Sequence, residues 1–184
     1  KSIIKYSRIN GATSSQGIVG NSVNIILRYS AKISNSNIYN TYGGLDIKNS
    51  AKLEYSNIHN STYFGLFIDN GCIAYGNNFY NLGKSGGNNF AIQLYNGSTF
   101  SNNIVRNVNL GIRAFGGKIE KNYIENKTGN IGNAGIYIAY DNVSVENNKI
   151  GGFNNNIIIS GNKPTFINNS FIGTINLETQ KNVL

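Results

Sequence analysis

The sequence predicts a single right-handed parallel β-helix of about eight coils, formed by the whole chain, residues 1–184. Two hydrophobic patterns recur along the chain, and the composition favours turns. Asn is the commonest residue, with about 35 copies beside 22 Gly and a single Pro. Asn is unfavourable inside helices and ordinary strands and favourable in turns. No segment keeps an apolar i, i+3, i+4, i+7 spacing free of Gly and Asn, so we expect many short strands and no long helix.

The first recurring pattern is a small polar residue followed two positions later by a large apolar one. Three positions before the polar residue most coils carry another apolar residue, with Thr99 as the exception. The pattern places the polar residue at a bend between two strands, where stacked amides hydrogen-bond along the rod. The pairs are Ser7/Ile9, Ser36/Ile38, Ser56/Ile58, Asn77/Phe79, Asn102/Ile104, Asn122/Ile124, Asn148/Ile150 and Asn169/Phe171.

The second pattern is a small residue followed by apolar–variable–apolar, as in Gly44-Leu45-Asp46-Ile47 and Gly65-Leu66-Phe67-Ile68. Such period-2 alternation predicts a short strand with one face inward. Successive polar residues of the first pattern lie 20–29 positions apart. A unit this short cannot bury its apolar face alone, so coils must stack and bury a continuous column. Two other solenoid folds are disfavoured. The sequence lacks the Leu-x-x-Leu-x-Leu core of leucine-rich repeats and the six-residue repeat of left-handed hexapeptide helices.

These patterns also carry a family resemblance. Asn122-Tyr123-Ile124-Glu125-Asn126 and Gly135-Ile136-Tyr137-Ile138 resemble the repeats of pectate-lyase-like and NosD-like parallel β-helix proteins. That superfamily contains polysaccharide lyases, glycoside hydrolases, epimerases, tailspikes, adhesins and surface-layer proteins, so the fold alone does not select a function. The resemblance implies a substrate groove along the sheet built from the second pattern.

Charge and rare residues narrow the classes of partner. The formal net charge is +8, which favours anionic partners. No tract resembles a nucleic-acid motif, so acidic glycans are favoured over nucleic acid, and no apolar run is long enough for a membrane span. One Cys and one His exclude an internal disulfide and a Cys- or His-rich metal site. They also argue against the copper delivery that a NosD-like resemblance implies. We expect no metal and no cofactor, with His59 solvated.

The candidate site lies on the outward face of the sheet built from the second pattern. Aromatic rings there can pack on sugars, and Arg can pair with carboxylates. Two Gly/Asn-rich connections, residues 82–89 and 127–133, are expected to wall this face. Its outward residues are Asp46, Phe67, Gln93, Arg113, Tyr137, Ile158 and Asn176, and two positions later Lys48, Asp69, Tyr95, Phe115, Ala139 and Ser160. The predicted substrate-binding residues are Lys48, Phe67, Asp69, Gln93, Tyr95 and Phe115.

Whether this face is catalytic stays open at this point. In a lyase, Arg113 would neutralise a uronate carboxylate, and Tyr137, Tyr95 or Lys48 would act as base; Arg113 and Tyr137 are the candidate catalytic residues. A calcium cluster needs several convergent acids, and a glycoside hydrolase needs two opposed carboxylates. The face offers only Asp46 and Asp69, and Lys48 is expected to pair with Asp69. An enzyme of this kind would belong to the lyase or glycoside hydrolase class.

Two functions therefore compete. The first is an extracellular or cell-surface module that binds, or processes in lyase fashion, an acidic polysaccharide or surface glycan along one sheet. The alternative is a structural segment of an adhesin, tailspike, filament or surface layer. The sequence begins at Lys1 and ends without a polar cap, so we expect excision from a longer chain. Open solenoid ends also invite self-association.

Overall fold

A computed structural model describes residues 2–10, 25–83, 89–126 and 132–176. It contains three eight-stranded sheets in which every neighbouring pair of strands is parallel. Each of the eight coils contributes one strand to each sheet, and the described residues contain no helix. The predicted parallel β-helix of about eight coils is confirmed.

The first sheet holds the strand that opens each coil. Its inward residues form an apolar column, in which Ile33, Leu53 and Phe100 have no exposed surface. The strands are β1 (Ile3–Lys5), β4 (Lys32–Ser34), β7 (Lys52–Glu54), β10 (Ile73–Tyr75), β13 (Thr99–Ser101), β16 (Gly117–Glu120), β19 (Val143–Glu146) and β22 (Thr165–Ile167).

The second sheet follows after a two-residue bend in each coil, and Ile38, Ile58 and Phe79 point inward from it with no exposed surface. Its strands are β2 (Arg8–Asn10), β5 (Asn37–Tyr39), β8 (Asn57–His59), β11 (Asn78–Tyr80), β14 (Ile104–Arg106), β17 (Tyr123–Glu125), β20 (Lys149–Gly151) and β23 (Ser170–Ile172).

The third sheet is built from the second sequence pattern. Each central strand buries two apolar side chains and turns the residue between them outward, as Leu66 and Ile68 flank Phe67. Its strands are β3 (Ile25–Leu27), β6 (Leu45–Ile47), β9 (Leu66–Ile68), β12 (Ile92–Leu94), β15 (Leu110–Ala114), β18 (Gly132–Ile138), β21 (Phe153–Ile159) and β24 (Ile175–Asn176).

A ladder of buried polar side chains lies at the bend between the first and second sheets, as the first pattern predicts. Asn77, Asn103, Asn122 and Asn148 occupy consecutive coils there, and each amide nitrogen donates to the amide oxygen of the next. Each amide also donates to a backbone carbonyl inside the rod. These bonds satisfy polar groups that burial would otherwise leave unpaired.

The structure corrects one pair of the first pattern by a single residue. The ladder uses Asn103 and not Asn102, and the inward apolar residue of that coil is Val105 rather than Ile104. With this register, Phe100 stands three positions before the ladder residue and fills the column. The exception at Thr99 therefore disappears.

Asn102 has a different role in the turn. It adopts φ 55°, and Asn35 and Asn147 have φ 52° and 55° at the equivalent bends of other coils. Asn tolerates this left-handed conformation better than most residues. The many asparagines thus serve two purposes: one buries its amide in the ladder, and a neighbour closes the turn beside it.

Candidate functional site

The predicted outward row of the third sheet exists as one aligned column. Asp46 pairs in register with Phe67, Phe67 with Gln93, Gln93 with Arg113, and Arg113 with Tyr137. Adjacent parallel strands lie about 4.8 Å apart. The alternation of the second pattern therefore brings side chains that are far apart in sequence to one face of the rod.

Four aromatic rings form a stack along this face, which we call the aromatic stack (Phe67, Tyr95, Phe115 and Tyr140). The Phe67 and Tyr95 ring centroids are 5.3 Å apart at 18°, and those of Tyr95 and Phe115 are 4.6 Å apart at 8°. Phe115 and Tyr140 are 5.5 Å apart with the rings tilted by 35°. The two faces of Tyr95 are thus covered by its neighbours. The inner rings Tyr95 and Phe115 can therefore offer a ligand only their edges, whereas the terminal Tyr140 is 62% exposed.

Arg113 sits among aromatic rings beside this stack. Its guanidinium carbon lies 4.7 Å from the Phe115 centroid, 5.5 Å from that of Tyr137 and 5.9 Å from that of Phe90. It forms no ion pair with an acidic residue in the described part of the chain, and its buried Nε has no hydrogen-bond partner there. Ring faces attract a cation but do not neutralise it. No acidic side chain of the described residues therefore balances the charge of Arg113.

The expected pairing of Lys48 with Asp69 is wrong. Lys48 Nζ lies 3.0 Å from Asp46 Oδ2, on the same strand segment. Asp69 Oδ1 instead accepts a 2.8 Å hydrogen bond from the backbone N–H of Asn70. Lys48 pairs with Asp46, two residues away, because both side chains lie on the same outward face of one strand. Lys48 and Asp69 are therefore engaged within the protein, which leaves Arg113 as the cation of the central face.

The phenol of Tyr95 is a poor candidate for a lyase base. Burial raises its pKa, the nearby Arg113 guanidinium partly offsets this, and the Asp69 carboxylate raises it further. The hydroxyl donates a 3.4 Å hydrogen bond to Gln93 Oε1. A phenol with a raised pKa stays protonated at neutral pH. Of the two candidate tyrosines, Tyr137 stays the prediction for this role; its ring lies 5.8 Å from that of Phe90.

A cleft of about 590 Å³ opens at the Tyr140 end of the aromatic stack. Sequence reasoning missed most of its residues, because they belong to the turns that follow the third-sheet strands. The Ala139 N–H donates to the Ala114 carbonyl, and the ring of the next residue, Tyr140, lies 5.5 Å from that of Phe115. The cleft is lined by Tyr95, Asn96, Phe115, Tyr140, Asp141, Asn142 and Asn162.

The two predicted walls fall largely on residues 84–88 and 127–131, which lie outside the described residues. Among the residues described on either side, Leu82 is buried in the core and Phe90 packs beside Arg113. The loops at 82–89 and 127–133 therefore stay a prediction.

The second sheet carries a separate ring stack. His59 was expected to be solvated, but it is half-buried, with its ring 5.4 Å from Tyr39 at 8° and 4.6 Å from Tyr80 at 6°. Its Nε2 lies 3.1 Å from Asn37 Oδ1. Burial lowers the pKa of His59.

No protein-family model matches the chain, and a search of curated proteins finds no match. Three parallel sheets of short strands support the resemblance noted above at the level of fold. Across the described ranges, no helix is long and apolar enough to cross a membrane. No cluster of three or more His, Cys, Asp or Glu side chains able to hold a metal occurs in those same ranges.

Proposed function

We propose that this protein binds an acidic polysaccharide or surface glycan along the outward face of the third sheet, outside the cell or at its surface. The observation that carries the proposal is Arg113, a cation held among three aromatic rings with no acidic partner in the described part of the chain. Arg binds carboxylates through two parallel hydrogen bonds. The resemblance to pectate-lyase-like repeats, whose groove follows one sheet, supports the choice of this face.

The polymer would run along the rod and contact successive coils. Gln93 and the ring edges of Phe67 and Tyr95 precede Arg113 on this face, and the cleft beside Tyr140 follows it. Side-chain amides offer hydrogen bonds to sugar hydroxyls, while ring edges cover apolar C–H groups. The outward side chains of the third sheet repeat once per coil along the rod. They can therefore contact a polymer whose sugar residues repeat along the same axis.

The proposal is for binding rather than cleavage. Hydrolysis needs two carboxylates flanking the bond, but Asp46 is paired with Lys48 and Asp69 caps a backbone N–H. Elimination needs a base near the acidic proton, and the raised pKa of Tyr95 disfavours that residue. A lyase reaction would therefore use Arg113 with Tyr137. An assay for unsaturated uronate products separates this case from binding alone.

The binding test replaces Arg113 with Gln, which keeps a polar side chain and removes the charge. Arg106→Gln is the matched control, because Arg106 also lies over a ring, 5.8 Å from the Tyr123 centroid, but on the second sheet. Hydrogen bonds to charged groups contribute about 1.5–3 kcal/mol, so Arg113→Gln should weaken hexagalacturonate binding about tenfold to a hundredfold. Calorimetric titration measures both variants. Equal affinity of wild type and Arg113→Gln would refute the assignment.

We propose structural assembly as the second candidate function. In the eighth described coil, Phe166 occupies the inward column but is 38% exposed, whereas Val145 beneath it is fully buried. An exposed inward residue favours packing against a further coil, either of the same chain or of a second copy. Sedimentation at several concentrations tests this: assembly that Phe166→Asp abolishes supports it, and a monomer at every concentration argues against it.

A further inference from the structure

A second cleft, of about 420 Å³, lies on another edge of the rod, where the first sheet bends into the second. It is separate from the third-sheet face and is lined in part by Tyr6, Asn35 and Tyr55. These three residues occupy the same bend in coils one, two and three, with φ values of 52°, 52° and 49°. Their backbone N–H groups donate to consecutive coils, so the three side chains leave the rod at equivalent positions.

The two tyrosines bracket a gap because Asn35 between them is short. Two coil spacings separate Tyr6 from Tyr55, roughly 9.6 Å along the rod. A ring held between two aromatic rings needs about 7–8 Å, which is two van der Waals separations of 3.5–4.0 Å. Both tyrosines are open to solvent, at 80% and 55% exposure. The gap therefore accommodates one sugar ring after a small adjustment of either side chain.

Tyr55 is supported on the side away from this gap. A Cβ built on Gly76, in the next coil, would lie 2.9 Å from two carbons of the Tyr55 ring, so the ring rests against that glycine. Tyr75 contacts it edge-on, with centroids 5.4 Å apart at 85°. A ring fixed from behind loses little conformational freedom when a ligand packs on its free side.

Polar groups line the floor of the same cleft. Arg8 is exposed, lies 6.0 Å from the Tyr39 centroid and has no acidic partner in the described ranges. The amide oxygens of Asn37 and Asn57 contact His59 and Asn78. Their amide nitrogens have no partner among the described residues and are available as donors.

We infer that this cleft is a second saccharide subsite, which takes one uronate ring between Tyr6 and Tyr55 with its carboxylate on Arg8. Sugar C–H groups pack on the ring faces that the gap leaves open, and a carboxylate matches the guanidinium and the two amide donors. The inference does not rest on Arg113, because the two sites lie on different edges of the rod.

The experiment blocks the gap with a larger side chain and keeps both Tyr6 and Tyr55. Asn35→Tyr places a third ring between Tyr6 and Tyr55, at a backbone conformation that tyrosine already adopts on either side. The probe is digalacturonate, titrated by NMR into the full chain carrying Arg113→Gln, in which binding at the third-sheet face is weakened. Tyr29→Ala is the control, since Tyr29 is 75% exposed but does not line the cleft.

We expect saturable digalacturonate binding that Asn35→Tyr weakens at least about tenfold and that Tyr29→Ala leaves unchanged. Arg8→Gln should abolish the preference for digalacturonate over neutral digalactose. If Asn35→Tyr does not fold, Tyr55→Leu provides the same test, with the same loss expected.

Unchanged affinity in Asn35→Tyr, or no saturable binding in the Arg113→Gln protein, would overturn the inference. The two proposals fail separately. Binding that Arg113→Gln alone abolishes supports the third-sheet site and removes this one. If only Asn35→Tyr abolishes binding, the result supports this cleft and removes the third-sheet site.

Discussion

The buried amide ladder gives a stability prediction that two adjacent residues can test. The Asn103 side-chain oxygen accepts hydrogen bonds from the Asn77 backbone N–H at 2.8 Å and from the Asn77 amide at 3.0 Å. Its amide nitrogen donates to the Ala74 carbonyl at 2.9 Å and to Asn122 Oδ1 at 3.3 Å. Asn103 is 1% exposed, so water cannot replace these bonds. Asn103→Ala removes all four at once.

The expected loss follows from the number of bonds. Each hydrogen bond contributes about 1 kcal/mol net, so four bonds amount to roughly 4 kcal/mol, and the buried Asn77 N–H is left unpaired as well. The control is Asn102→Gly, because Asn102 is exposed and has φ 55°, which glycine adopts freely. This control should change the free energy of unfolding by about 0.5 kcal/mol or less.

Urea unfolding followed by far-ultraviolet circular dichroism measures both variants against the wild type. We expect the midpoint of Asn103→Ala to fall well below that of Asn102→Gly, at a similar slope. If the two variants differed by less than about 1 kcal/mol, the ladder would not contain Asn103, and the register of the fifth coil would be wrong.

Two further predictions concern the core and the second ring stack. Gly111→Ala should destabilise the protein by about 1–3 kcal/mol, because the added Cβ would lie 2.2 Å from the Gly135 carbonyl oxygen. Ala91→Gly at the same position of the preceding coil should cost less than about 1 kcal/mol in urea unfolding, and a Gly111→Ala protein as stable as wild type would contradict the packing. Because burial lowers the pKa of His59 below 6.5 in the folded state, the unfolded state binds more protons, and stability should fall as the pH drops below about 6.5. Urea midpoints measured at several pH values should fall with pH in the wild type and not in His59→Phe. If the midpoint of the variant falls equally, other groups cause the pH dependence.

The third sheet was largely predictable from sequence, and the reason is its strict alternation. Leu66-Phe67-Ile68 and Ile92-Gln93-Leu94 each allow only one inward face, because a shift by one residue would bury the polar side. That constraint fixes the outward row from Asp46 to Tyr137. It also aligns Tyr95 with Phe115, whose rings lie about one strand spacing apart.

The register of the fifth coil was not predictable from the first pattern alone. Asn102-Asn103-Ile104-Val105 fits the pattern in two frames that differ by one residue. The strand before the bend decides between the two frames, because only the frame that uses Asn103 places Phe100 in the apolar column. The exception at Thr99 in the first pattern was the sequence signal for the second frame, in which Phe100 stands three positions before Asn103.

The candidate site was predicted in its strands and missed in its turns. Alternation places Arg113 and Gln93 on one face, but the strand pattern ends before Tyr140, whose ring packs beside Phe115 from the following turn. The partner of Lys48 likewise depends on side-chain distances. The exposed Tyr6 and Tyr55 lie at bends that the strand pattern does not describe.

A crystal structure of the full protein with hexagalacturonate bound tests the central claim most directly. We predict electron density for sugar along the third sheet, with a uronate carboxylate within hydrogen-bond distance of the Arg113 guanidinium. The rest of the hexagalacturonate should continue toward the cleft beside Tyr140. A saturated crystal in which that face is bare of sugar, or in which Arg113 contacts an acidic residue of its own chain, would contradict it.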